Sequence, residues 1–542
     1  MAIRLSKPPG LAAAGRILAV LGVLQLGSAA YAQESGEAVL RVGLSTEPVT
    51  FDPHSMNVGS TTLVNRSLFE ALVGRGKDMK KVPELATSWS RLGPTRWRFV
   101  IRRDVHFHNG DSLTVGDVIF SLQRAASSAS DFKIYTDGID SIEQVDDSML
   151  DIVTRAPDEV LPDKLTRVFI VSKAWETAHN WAEPPRPGSG KAGHVDEENG
   201  TGPYRLVSGS GPEGRVEMVR FDRWWGRNAG RIGNVRTVTY QSLPVAAARA
   251  AALMSGGVDL IVDAPPALVA SLKARSDIKI VSSPENRTIM LGFDHRREKL
   301  EYSDAPANPF KDRRVRQAVN LAVDANAIRD GLMDGFSLPA GSLIAPSVFG
   351  YSKKTDARTP NDLVVARQLM KAAGYERGFS VTLDCPAHRY VNDQSICAAA
   401  AGMLSKIGIS VNVNSMPLAM WYGKILRHDT SFYLIGWASP TFDGEVSLRA
   451  LLHTPSPGGG ADGAVNGGWY SDPSIDALID GLGKAPDLAA RAAMIDKALE
   501  LAKEDVAYVP LHHQMLVWAM KKNVDAVLTP EGQLDVKWVT VH

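Results

Sequence analysis

The sequence predicts an α/β fold on a parallel sheet, and three observations carry the prediction. Phe432 to Ile435, within Ser431-Phe-Tyr-Leu-Ile-Gly-Trp-Ala-Ser-Pro-Thr-Phe-Asp443, is an uninterrupted apolar run. Such a run reads as a strand buried on both faces. Strand and helix patterns alternate ahead of it: strand Phe379–Leu383, helix Ser395–Ile407, strand Ser410–Val413, helix Ala419–Arg427. That β-α-β-α-β order calls for parallel strands with helices on the sheet faces. The 542 residues exceed what one core usually holds, so two or three domains are expected. The apolar run ends at Gly436-Trp437-Ala438-Ser439-Pro440, which places an aromatic and several polar groups at a carboxyl edge, where open α/β sheets bind ligands. An ordinary core strand and loop, with Trp437 as packing, is the other reading of the same residues.

Composition excludes some classes. Lys+Arg and Asp+Glu are both 60, so there is no basic excess for nucleic acid or an anionic membrane surface. Arg4 and Lys7, the apolar Ile17–Leu26 and Ala30-Tyr31-Ala32 have the form of a cleaved secretory signal peptide, residues 1–32. No later segment is apolar enough to span a bilayer, and a soluble extracytoplasmic protein beginning at Gln33 is expected. Outside the cytoplasm, the two cysteines, Cys385 and Cys397, are either bridged or buried as free thiols.

In chain order, Ala38–Leu44 alternates as a strand and Thr62–Leu72 has helical spacing. Trp97–Arg102 is a strand, followed by a turn at Asn109-Gly110 and a helix that Thr114 caps. Pro184–Gly200 and Thr454–Gly468 have loop composition. Tyr204–Val207 and Arg215–Phe221 pair as a hairpin. Leu243–Met254 is a helix and Val258–Val262 a strand. Ile278–Val281 and Ile289–Phe293 read as two strands. Arg313–Asn320, Leu363–Ala373 and Leu488–Ala502 are helices, and Val506–His512 and Met515–Met520 are closing strands.

Catalytic signatures fail. The glycine matches Gly188–Gly193 and Gly209–Gly214 do not join a strand to a helix as a dinucleotide site requires. His106 and His108 lack a third metal ligand, and His512 and His513 face opposite ways on a strand. Nothing in the sequence brings Asp52 to Asp443 or Glu445 as an acid–base pair.

Several stretches together resemble one family. They are Glu47-Pro-Val-Thr-Phe-Asp-Pro53, Val82-Pro-Glu-Leu-Ala86 with Trp89, Val105-His-Phe-His-Asn-Gly110 with Thr114, Asp117-Val118 and Phe120-Ser121, and Gly200-Thr-Gly-Pro-Tyr204 before Trp224-Trp-Gly226. Gly257-Val-Asp259, Pro309-Phe310, Asp312, Arg314-Val-Arg-Gln-Ala318, Gly408-Ile409 and Pro510-Leu-His512 follow in order. The chain resembles the extracytoplasmic solute-binding proteins of ABC importers, in the dipeptide-, oligopeptide-, glutathione- and nickel-binding group (solute-binding protein family 5). The resemblance implies a two-lobed, type II periplasmic binding fold with an extra domain in the first lobe. Lobe 1 (domain I) would be 33–75, 203–293 and 504–542, the extra domain (domain II) 76–202, and lobe 2 (domain III) 294–503. It also implies a periplasmic monomer without cofactor or metal, which closes on a small peptide-like solute and delivers it to an inner-membrane ABC permease. A chemoreceptor-coupled sensor on the same scaffold, or import of an opine, sugar or glutathione-like solute, is the alternative. A secreted hydrolase stands further off.

By the same likeness Arg389 meets a ligand carboxylate, for which a planar guanidinium is suited. Trp437 forms an apolar wall, with Trp421 and Ser439 beside it. The other reading of the same residues is a surface arginine in a loop for Arg389 and core packing for Trp437. Ser45, Thr46 and Asn286-Arg287 are expected first-lobe contacts on strand ends. One departure matters. Relatives that bind an α-ammonium commonly carry Asp three residues after this Trp, where this chain has Pro440. Asp443 or Glu445 is the candidate replacement, and without one the dipeptide reading weakens.

Overall fold

The computed structural model describes residues 37–542 apart from 186–195, 212–213, 388 and 457–460. The expected signal peptide and the Gly188–Gly193 match lie outside the described residues. An 11-stranded mixed sheet runs through the molecule, in the order Ile409–Pro417, Phe379–Ala387, Phe432–Ala438, Ile278–Phe293, Tyr508–Lys521, Leu260–Ile261, Ala38–Leu44, Val235–Ser242, Arg215–Arg220, Tyr204–Gly211, with Ser337–Pro339 beside Tyr508–Lys521.

The β-α-β-α-β reading holds for its own strands. Phe379–Ala387 pairs in parallel with Ile409–Pro417 and with Phe432–Ala438, and helices Asp393–Ser405 and Leu418–Leu426 make the crossovers. Phe432–Ile435 is fully buried, as an apolar run between two neighbours should be. Its other neighbour, Ile278–Phe293, is antiparallel, so the sheet is mixed.

Two expectations fail in the same way. The predicted pair Ile278–Val281 and Ile289–Phe293 is one strand of 16 residues, and Val506–His512 with Met515–Met520 is one strand of 14, Tyr508–Lys521. The two long strands lie antiparallel along each other. At one end they join Leu260–Ile261 and Ala38–Leu44, and at the other Phe432–Ala438 and Phe379–Ala387. They therefore tie two α/β halves into one sheet. Their ladder skips from Pro284 to Thr288. The skipped residues Glu285-Asn286-Arg287, and His513-Gln514 opposite, are the polar interruptions that made each strand read as two.

A separate four-stranded antiparallel sheet, in the order Ala86–Gly93, Arg96–Ile101, Met149–Thr154, Ile139–Asp146, carries its own core around Phe99, Phe107, Val118, Leu150 and Ile152. Its helix Val115–Ala125 begins at a capping box. The Thr114 hydroxyl accepts from the Asp117 N–H, and the Asp117 carboxylate accepts from the Thr114 N–H. Gly110 takes φ +98, the left-handed conformation that the predicted turn requires. The second glycine match lies between the paired strands Tyr204–Gly211 and Arg215–Arg220. Among the described residues, no helix is long and apolar enough to cross a membrane.

Cys385, on the strand Phe379–Ala387, and Cys397, on the following helix, are joined in a disulfide with 12 residues of separation. Loop closure of this length restricts the unfolded chain by about 3 kcal/mol. Cys397→Ser is therefore expected to lower unfolding free energy by about that amount in a urea titration, and an unchanged midpoint would assign the bond no stabilising role.

Candidate functional site

The carboxyl ends of Phe379–Ala387, Ile409–Pro417 and Phe432–Ala438 form one edge of the second half. Tyr390 is its keystone. Its hydroxyl donates to the Gly436 carbonyl at 3.1 Å, and its ring stands edge-on to Trp421 at 6.4 Å. Gly436 is required there, because a Cβ would lie 2.7 Å from the Tyr390 ring and 2.6 Å from Ile289. Trp421 is 2% exposed and belongs to the apolar core behind Tyr390. Trp437 is half-buried against the same core and donates its indole N–H to the Ser447 hydroxyl at 3.0 Å. The structure thus gives Trp437 both a packed side and an accessible one.

Arg389 is exposed at this edge, its guanidinium 5.4 Å from the Tyr390 ring centroid. Its backbone N–H is held by the Asp393 carboxylate at 2.8 Å. Desolvation by the wall around it, then the Arg287 guanidinium, lower its pKa from the ordinary arginine value. Asn286 bridges the hinge. Its N–H donates to the Pro530 carbonyl and its side-chain amide to the Ser439 carbonyl at 2.7 Å. The Ser439 hydroxyl is turned into its own loop, donating to the Asp443 carbonyl at 2.9 Å. On the first half, Ser45 follows the carboxyl end of Ala38–Leu44 and donates to the Asp263 carboxylate at 2.9 Å, while Thr46 beside it is exposed. Asn286-Arg287 sit within a strand that belongs to both halves, and not at a strand end as the sequence implied.

Asp443 is the N-cap of helix Gly444–Leu451, accepting from the Glu445 N–H at 2.9 Å. Its carboxylate also takes both ends of the Arg491 guanidinium, at 2.6 and 2.9 Å, and Glu445 accepts from the same guanidinium at 2.6 Å. Burial opposes the Arg491 charge, but the hydrogen bonds it donates to the two carboxylates, and their negative charge, hold its pKa above the ordinary value. Burial pushes the Glu445 carboxyl up, against the pull of Arg491. Both carboxylates in this structure serve an internal ion triad. Asp52 is likewise taken, by Arg124 at 3.0 and 2.5 Å, so the imagined acid–base pairs do not form.

Sequence reasoning passed over Arg75. It donates to the Asp163 carboxylate at 2.7 Å and reaches the Thr441 carbonyl at 2.8 Å, in the loop that follows Trp437 and Ser439. Phe442, 5.4 Å from that guanidinium, is held at φ +58, a strained conformation for a bulky residue. No sequence signal marks a contact between positions so far apart. The histidine pair is satisfied at His108, which meets Glu198 at 2.8 Å and the Gly202 carbonyl at 3.0 Å. Among the described residues, no group of His, Cys, Asp and Glu is arranged to hold a metal.

Residues 80–459 match the model of the bacterial extracellular solute-binding proteins, family 5 (middle region). The chain belongs to this family. The glutathione-binding protein GsiB of Pectobacterium atrosepticum is 26% identical over 501 residues, 90% of each chain, and that of Escherichia coli O157:H7 is 24% identical over 517 residues, 94% of each. Among solved structures, AgaA from A. tumefaciens R10 in complex with agropinic acid superposes at TM-score 0.74, with 25% identity over 93% of this chain and 99% of that one. The periplasmic binding protein DppA of Helicobacter pylori with peptide STSA gives 0.75, with 20% identity over 93% and 98%. The fold is the two-lobed, type II periplasmic binding architecture of this family.

Two outcomes are expected from this geometry. Arg491→Met leaves two buried carboxylates unpaired and should cost about 3–5 kcal/mol in chemical denaturation; a loss under 1 kcal/mol would show the triad to be dispensable. Arg75→Ala removes the hydrogen bond to the Thr441 carbonyl, so the ligand-free protein should show a larger radius of gyration by X-ray scattering, and superimposable curves would assign that bond no role in holding the molecule compact.

Proposed function

We propose that this solute-binding protein serves an ABC importer, capturing a peptide-like or opine-like small solute between its lobes and presenting the closed form to an inner-membrane permease. The observation that carries the reading is the pair of long strands. They join the halves through a ladder that breaks at Glu285–Arg287, beside the edge holding Arg389, Tyr390 and Trp437. A ligand that touches both halves binds the closed form more tightly and shifts the population toward it. Similarity to proteins that bind glutathione, agropinic acid and a peptide supports a small carboxylate-bearing solute.

In this reading Arg389 receives the ligand carboxylate, Trp437 walls the solute, and Ser45 and Thr46 close from the opposite lobe. The division into lobe 1 (33–75, 203–293, 504–542), extra domain (76–202) and lobe 2 (294–503) is proposed with it. So are removal of residues 1–32 on export to the periplasm and a monomeric working state. Native mass spectrometry of protein purified from its host should reveal a bound small molecule. Calorimetry with that molecule should then show Arg389→Ala binding weaker by about 2–5 kcal/mol, the usual consequence of truncating one partner of a desolvated charge pair. Equal affinities would remove Arg389 from the site.

A further inference from the structure

Arg389 has a cationic neighbour at the same edge. Arg287, on the long strand opposite Ala438, has its guanidinium 5.8 Å from the Tyr390 ring centroid, while that of Arg389 lies 5.4 Å from it. The tyrosine cannot retreat, since Gly436, Ile289 and Trp421 enclose it. Asp393 is taken up by the backbone N–H groups of Arg389 and Tyr390, and the carboxylate bonded to the Arg287 side chain is already engaged twice. Glu285 accepts from Arg287 Nε at 3.0 Å through one oxygen and from the Gln514 amide at 2.6 Å through the other. Among the described residues, Arg389 has no acceptor for its guanidinium, and the acceptor for Arg287 is Glu285. Two like charges over one ring repel, and the side chain of Arg287 is only 16% exposed. Among the described residues the Arg389 guanidinium is left with donors that no side chain accepts, and an anion would satisfy them.

The opposite charge is missing where an ammonium would need it. Pro440 carries none, and Asp443 and Glu445 are committed to Arg491. Apolar surface is present instead. Leu418, Met420 and Tyr422 are exposed on the helix that begins at the carboxyl end of Ile409–Pro417.

We propose that Arg287 and Arg389 form a two-guanidinium site for a carboxylate, and that the solute of this chain is an organic acid whose amino nitrogen is acylated, alkylated or absent, so that a free α-ammonium is not needed for binding. Planar guanidiniums suit this role because each offers paired donors in carboxylate geometry. The proposal rests on the solute-binding reading above and narrows its ligand class.

The test is calorimetry with four probes: Ala-Ala, N-acetyl-Ala-Ala, Ala-Ala amide and glutathione, on the mature protein and on Arg287→Gln and Arg287→Lys. Expected are affinities for N-acetyl-Ala-Ala within threefold of, or tighter than, those for Ala-Ala, and a loss of tenfold or more on converting the carboxylate to the amide. Arg287→Gln should weaken the carboxylate probes at least tenfold, with Arg287→Lys intermediate and both variants matching the parent in circular dichroism and melting temperature. Ala-Ala binding tenfold more tightly than its N-acetyl form, or Arg287→Gln binding unchanged, would overturn the proposal while leaving solute binding intact. No heat with any probe, together with scattering curves that none of them alters, would count against small peptide-like solutes themselves and remove this inference with them.

Discussion

The antiparallel ladder between Ile278–Phe293 and Tyr508–Lys521 is the constraint on which the rest depends. Backbone hydrogen bonds cannot be left unmade in an interior, so two strands that run from one half to the other hold both halves to one sheet direction. The ladder skips three residues between Pro284 and Thr288 and shifts register again between Ile289 and Met290. Rotation between halves is cheapest where those bonds are already absent. The same interruption frees Glu285, Asn286 and Arg287 from the pleat and sends their side chains to the Gln514 amide, the Ser439 carbonyl and the Tyr390 ring. In the proposed reading, hinge and ligand edge are one local feature of the backbone.

Much of the second half was legible because its signals are local. The apolar run Phe432–Ile435 and the helices expected at Arg313–Asn320 and Leu363–Ala373 each follow from a few adjacent residues. The long strands were not legible as such. Periodicity breaks at Glu285-Asn286-Arg287 and at His513-Gln514, and a break in an alternating pattern reads as a turn. What sustains these polar residues inside a strand is their tertiary partners. His513 meets Thr288 at 2.9 Å and Asp356 at 3.0 Å, and Gln514 meets Glu285. A sequence window cannot contain such partners. The candidate site divides in the same way. Arg389 and Trp437 were visible by their place after strands, whereas Tyr390, Glu285 and Arg75 act through contacts across the fold.

The loop after Trp437 separates structural charge from ligand charge. Asp443 caps a helix and, with Glu445, neutralises Arg491, whose side chain is 3% exposed. Removing any member would strand the others at a cost of several kcal/mol, so these carboxylates are poor candidates for a second task. The cations at Arg287 and Arg389 are differently placed. Arg287 keeps its charge because Glu285 offsets burial, raising its pKa. Arg389, whose guanidinium has no acceptor among the described residues, is lowered by desolvation and by Arg287 itself. Both remain charged at neutral pH, since even lowered arginines stay well above it.

Closure has to be nearly balanced in the empty protein if a ligand is to control it. The contact of Arg75 with the Thr441 carbonyl is a charge-assisted hydrogen bond, worth about 1.5–3 kcal/mol at most. A single bond of that size does not by itself lock the molecule shut. Moving such an equilibrium from about 1:99 to 99:1 takes a differential affinity of ~5.5 kcal/mol. In the proposed reading, a carboxylate held by Arg287 and Arg389, in a solute that also reaches the first half, supplies that difference, and recognition and lobe closure are coupled through the same two arginines.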